Sequence, residues 1–142
     1  MKWFLLSLCI GLFHVSKSCT CMTFPTHIDS SRIMDDDFEI FTGRIVGRRI
    51  SYYGKYPYFL YTVKITNHYT LETTKRYVTI RTATKSSACG YRFNLGMTYL
   101  ITVHKNKDGQ AIRDTSVCVR NVLVIQAQEE IELIEKLVGK PD

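Results

Sequence analysis

The chain has 142 residues, 45% hydrophobic and 23% charged, with only 3 Pro and 8 Gly. That balance excludes wholesale disorder, collagen-like repeats and low complexity, and the length suits one domain. The formal charge is +6, from 19 Lys+Arg against 13 Asp+Glu, and five Cys in so short a chain require an explanation.

Residues 1–18 read as a secretory signal. Lys2 gives a positive start, Trp3 to Val15 is almost wholly apolar, and Ser16-Lys17-Ser18 puts small residues where a signal peptidase reads. The apolar run is short for a bilayer span and no second long one follows, so no membrane span is expected. Removing this segment takes out Lys2 and Lys17 and no acid, which lowers the charge by two, to +4, over residues 19–142. The expectation is a secreted, extracellular, single-domain protein.

Thr26 to Ile33 is compatible with a short helix, followed by an acidic turn at Asp35-Asp36-Asp37. Phe38 to Ile50 reads as a long strand, with Gly43 and Gly47 marking bends or bulges. Ser51 to Pro57 reads as a tyrosine-rich turn punctuated by Gly54 and Pro57. Tyr61, Val63 and Ile65 then alternate with Thr62, Lys64 and Thr66, the pattern of a half-buried strand. Val78 and Ile80 alternate with Thr79 and Arg81, and Tyr99, Ile101 and Val103 with Thr102 and His104. Asn106-Lys107-Asp108-Gly109 is a hairpin turn leading to a short strand near Ala111 to Thr115. The period changes at the end. Ile131, Ile134 and Val138 share one helical face, Glu129, Glu130, Glu132 and Glu135 lie largely on the others, and Gly139 and Pro141 stop the helix. The predicted fold is mainly β: a five-stranded barrel of the oligonucleotide/oligosaccharide-binding type, with a short N-terminal helix and a C-terminal helix packed on it.

The sequence has no G-x-S-x-G, phosphate-binding glycine loop or H-E-x-x-H, so an enzyme is not expected. The acids at 35 to 37 lack the spacing of a calcium loop. Arg44, Arg48, Arg49 and Lys55 form a modest basic strip, a weak footprint for a glycosaminoglycan or cell-surface partner because +4 spread over the secreted chain needs no special partner, and no nucleic acid is expected.

Without Cys9, which leaves with the signal, four cysteines remain: Cys19, Cys21, Cys89 and Cys118. In an oxidising compartment they read as two disulfides, in one of three pairings. Joining Cys19 to Cys21 is least favoured, because one intervening residue gives poor disulfide geometry. Either other pairing pins the extreme N-terminus to two distant segments. A Cys19–Cys89 bridge would close about 70 residues and contribute roughly 4 kcal/mol through loop entropy. A zinc site of these Cys with a His is the alternative, but His27, His68 and His104 are scattered and no C-x-x-C exists.

Cys19-Thr20-Cys21 behind a predicted cleavage site, with Ser86-Ser87-Ala88-Cys89-Gly90-Tyr91 downstream, resembles the tissue inhibitors of metalloproteinases. The similarity runs along nearly all of residues 19–142, through Phe38-Glu39-Ile40, Tyr61 to Thr66, Tyr99 to Thr102 and Cys118. The resemblance implies a netrin-like barrel with Cys19 bonded to Cys89 and Cys21 to Cys118. It also implies a function: a secreted inhibitor whose Cys19 α-amine and carbonyl oxygen chelate the catalytic zinc of a matrix-metalloproteinase-type enzyme. Thr20 would enter the specificity pocket, and Cys21, Met22, Thr23, Ser87 and Ala88 would complete the contact ridge. No cofactor of its own is implied; the zinc belongs to the protease. The chain departs from the family pattern at Met22-Thr23, where Val-Pro or Ser-Pro is common, and in lacking a third disulfide near Ser31 and the family's smaller C-terminal domain. The alternative is a netrin-like effector that binds a cell-surface or matrix partner without inhibiting a protease.

Overall fold

The computed structural model describes residues 19–23, 25–106 and 110–140. The expected signal segment and the tip of the predicted hairpin at 107–109 lie outside the described residues. The chain folds as a helical turn α1 (Ser30–Ile33), strands β1 (Phe38–Tyr53), β2 (Tyr56–His68), β3 (Tyr77–Ala83), β4 (Thr98–His104), β5 (Ile112–Asp114) and β6 (Asn121–Leu123), and helix α2 (Gln128–Val138). The fold is mainly β, with six strands in one sheet where five were expected.

Helix α1 is shorter than the expected 26–33 because Asp29 caps it: its carboxylate accepts from Arg32 N at 2.9 Å and Ser31 Oγ at 2.7 Å. The predicted turn at 51–57 is also corrected. β1 runs on to Tyr53 and β2 begins at Tyr56, leaving only Gly54-Lys55 as a loop, with Gly54 at φ +60°. A two-residue loop with glycine first matches the twist of paired strands, and the tyrosines that resembled loop residues are good strand formers. The expected bends are present as register shifts at Thr42/Gly43 and Ile45/Gly47. At Gly43 the strands approach so closely that a Cβ would overlap Val63 Cγ1.

The strands follow one another as β1-β2-β3-β5-β4, and β4 pairs back onto β1, so five of them form a ring; β6 extends the sheet on β4. All pairings are antiparallel except β3–β5. Phe41, Ile45, Tyr61, Val63, Ile80, Phe93, Ile101 and Val103 fill the ring's inner face. A second apolar cluster joins Ile28 and Ile33 to Ile40, Leu100, Val122 and Ile134 between the sheet and the helices.

That second layer explains two further corrections. β4 was expected to alternate, yet Leu100 and Thr102 are as buried as Tyr99, Ile101 and Val103, because both of its faces are covered. Glu130, expected on the solvent side of α2, is buried. Its carboxylate accepts Ile28 N–H at 2.8 Å and pairs with Arg120 at 2.7 Å, so its charge is met on both sides. Val138, assigned to the buried face, is exposed. Among the described residues no helix is long and apolar enough to cross a membrane.

Candidate functional site

Two disulfides, Cys19–Cys89 and Cys21–Cys118, tie the strip 19–23 to the body of the domain. These are the two pairings that the resemblance implied. They close sequence separations of 70 and 97 residues, each worth roughly 4 to 5 kcal/mol on the loop-entropy model.

The receiving loop is itself ordered. Ser86–Ala88 form a single 3-10 turn, and Cys89 ends it in the left-handed region at φ 61°, its N–H donating to Ser86 O at 3.0 Å. Gly90 N–H returns to Lys85 O at 3.1 Å. A Cβ on Gly90 would overlap the carbonyl of Ala83, so the chain passes β3 at a distance that only glycine permits. Tyr91 N–H donates to Thr82 Oγ1 at 2.8 Å, and the Tyr91 hydroxyl to Asn121 O at 3.0 Å. Burial holds that hydroxyl above its ordinary pKa, with a smaller contribution from Tyr99. Cys89 O accepts Val117 N–H at 3.0 Å, which couples the loop to the segment carrying Cys118.

The two disulfides bring the expected contact residues together. Thr20, Met22, Thr23, Ser87 and Ala88 are exposed, Met22 fully so, while Cys19, Cys21, Cys89 and Cys118 are half-buried beneath them. The four sulfurs lie within 4.8 Å of one another, a ligand-like cluster. All four are consumed in disulfides, so the cluster offers no thiolate to a metal. None of His27, His68 and His104 belongs to it. His104 packs on Phe38 with ring centroids 4.9 Å apart. Asp35 pairs with Arg32 at 3.7 Å and accepts Asp37 N–H at 2.9 Å, which gives the acidic turn a local structural role.

The expected basic strip is dispersed. Arg48 and Arg49 are successive residues of one strand and point to opposite faces, and Arg44 Nε donates to Gly96 O at 3.0 Å. A grouping absent from the sequence reading takes its place. The guanidiniums of Arg48 and Arg92 both stack on Phe59, at 4.9 and 5.6 Å from its ring centroid. The available signal was the run of residues 73–107, which holds Arg92 and no acid.

No protein-family model matches the chain, and no characterised protein matches its sequence.

Proposed function

We propose that the protein is a secreted inhibitor of zinc metalloproteinases of the matrix type, built on a netrin-like, five-stranded barrel. The observation that carries this function is the pair of disulfides that holds residues 19–23 beside the 86–89 loop as one exposed edge. The strand order β1-β2-β3-β5-β4 returning to β1, with β3 and β5 parallel and α2 packed outside, is consistent with such a barrel.

The chemistry requires a chain that begins at Cys19. An α-amine titrates far lower than a lysine amine in general, so a metal can take its neutral form at physiological pH. A catalytic zinc keeps one position open for water, and an amine with the adjacent carbonyl can displace that water as a bidentate pair. Thr20 extends into the enzyme's specificity pocket, and Met22, Thr23, Ser87 and Ala88 lie along the neighbouring subsites. Because disulfides already order the strip, docking loses little conformational entropy.

The test is N-terminal sequencing of the secreted protein, then titration against a panel of matrix metalloproteinases with and without one Ala added before Cys19. Stoichiometric inhibition by the Cys19-initiated form, lost by orders of magnitude in the extended form at unchanged thermal stability, is the expected result. A mature start elsewhere, or equal inhibition by both forms, overturns the chelation. No inhibition by either form leaves the fold to the alternative, a non-inhibitory binding module.

A further inference from the structure

An oxidant meets few susceptible groups in residues 19–142. The chain's one Trp is Trp3, in the expected signal segment. Cys19, Cys21, Cys89 and Cys118 are all in disulfides, so no free thiol remains among the described residues. The thioethers of Met22, Met34 and Met97 are then the most readily oxidised groups left.

The three are not equivalent. Met22 is 104% exposed, Met34 68% and Met97 41%. Met34 ends α1, its N–H donating to Ser30 O at 3.1 Å, and it lines a cleft with Phe38 and Val138. Met97 is anchored through its carbonyl, which accepts Ile45 N–H at 3.0 Å. Neither belongs to the edge made by 19–23 and 86–89. Met22 does, and it follows directly on Cys21, whose bond to Cys118 prevents that part of the strip from withdrawing. The most accessible sulfur of the fold therefore stands on the edge assigned to the protease.

We propose that Met22 is a modification site for peroxide-class oxidants, and that its conversion to the sulfoxide weakens the inhibitory edge. The second half of this proposal rests on the inhibitory reading given above. In the reaction the thioether lone pair attacks the peroxide, one oxygen passes to sulfur, the O–O bond breaks, and the other oxygen leaves as water after a proton shift. Sulfur loses two electrons and the peroxide gains them, so no further reactant is needed. A thioether is apolar, flexible and suited to filling an irregular subsite. The sulfoxide is polar and chiral, and its oxygen must give up water when the edge docks. Because the disulfide holds the strip, a backbone shift cannot accommodate the change. Oxidation acts on the free inhibitor, since docking covers the sulfur, and methionine sulfoxide reductases reverse it.

The experiment exposes the Cys19-initiated protein to graded hydrogen peroxide. Each methionine is followed by mass spectrometry after reduction and digestion, and the same samples, freed of peroxide, are titrated against a matrix metalloproteinase. Met22 is expected to gain oxygen first, then Met34, then Met97. Oxidation of Met34 or Met97 as fast as Met22 overturns the site. Inhibition is expected to weaken at least about tenfold as Met22 is converted, the scale of one unsatisfied polar group in an interface. Met34→Leu/Met97→Leu should be as sensitive as the wild type, and reductases acting on both sulfoxide epimers should restore inhibition. Met22→Leu is compared only with itself, and its inhibition, whatever its starting strength, should not change with peroxide. Peroxide-induced loss of inhibition in Met22→Leu, or full inhibition by protein whose Met22 is wholly sulfoxide, overturns the weakening. If the unoxidised protein inhibits no protease, the inhibitory reading fails and the weakening with it, while the order of oxidation still decides whether Met22 is the site.

Discussion

Glu130 Oε2 accepts the backbone N–H of Ile28 at 2.8 Å, so the C-terminal helix is fastened to the segment that leads out of the disulfide-bound strip. The other side of the same carboxylate takes Arg120, whose Nη2 lies 2.7 Å from Oε1. Between them these contacts join three remote parts of the chain at one buried charge.

Replacing Glu130 with Ala leaves the Ile28 amide and the Arg120 guanidinium without their acceptor. The expected loss is about 2 kcal/mol, below the range for fully buried pairs because Arg120 keeps some access to water. Urea unfolding measures it. A loss under about 0.5 kcal/mol, the scale of an ordinary surface change, would show that the contact does not fasten the helix.

Gly90→Ala is expected to destabilise by about 1 to 3 kcal/mol, because its Cβ would overlap a backbone carbonyl that cannot swing aside. Gly54→Ala is the comparison. Nothing lies near its Cβ, and only the left-handed backbone opposes it, so about 1 kcal/mol is expected. If Gly54→Ala proves more harmful than Gly90→Ala by thermal melting, the close approach to β3 is not what requires glycine at 90.

Thr20→Gly should leave the unfolding midpoint nearly unchanged, since Thr20 is exposed. Inhibition of a matrix metalloproteinase by the Cys19-initiated protein should weaken by roughly 1 to 3 kcal/mol if the side chain fills a pocket at the centre of the interface. Unaltered inhibition constants across several proteases would remove Thr20 from that role.

The raised pKa of Tyr91 has a sign that can be followed. Burial favours the neutral phenol, so the stability it contributes is present below the unfolded value of about 10 and fades as pH rises through the higher folded value. Absorbance titration near 295 nm, comparing the protein with Tyr91→Phe, should show one tyrosine fewer in the fraction titrating above 10. Loss of a tyrosine that titrates at or below 10 would contradict the burial.

Strands β2 and β3 were legible because each buries alternate residues, and a period of two is written directly into Tyr61 to Thr66 and Val78 to Arg81. The helix α2 was legible from its spacing, and the two bulges from Gly43 and Gly47. What escaped depended on neighbours distant in the chain. β4 hides both faces because helices cover the second one, and Glu130 is buried because Ile28 and Arg120, 102 and 10 residues away, supply the partners it needs. Composition could count four cysteines and leave two plausible pairings open. The family resemblance favoured one of them, and only the folded positions of residues 89 and 118 decided between them. In the same way, a run of sequence almost without acids could announce positive charge, but not its shape. Arg48 and Arg92 lie 44 residues apart in number and meet on Phe59 only because β1 pairs with β2 and the chain after Cys89 returns across the same rim. Local periodicity fixes which face of a strand is apolar, whereas a site assembled from separate strands exists only once the ring has closed.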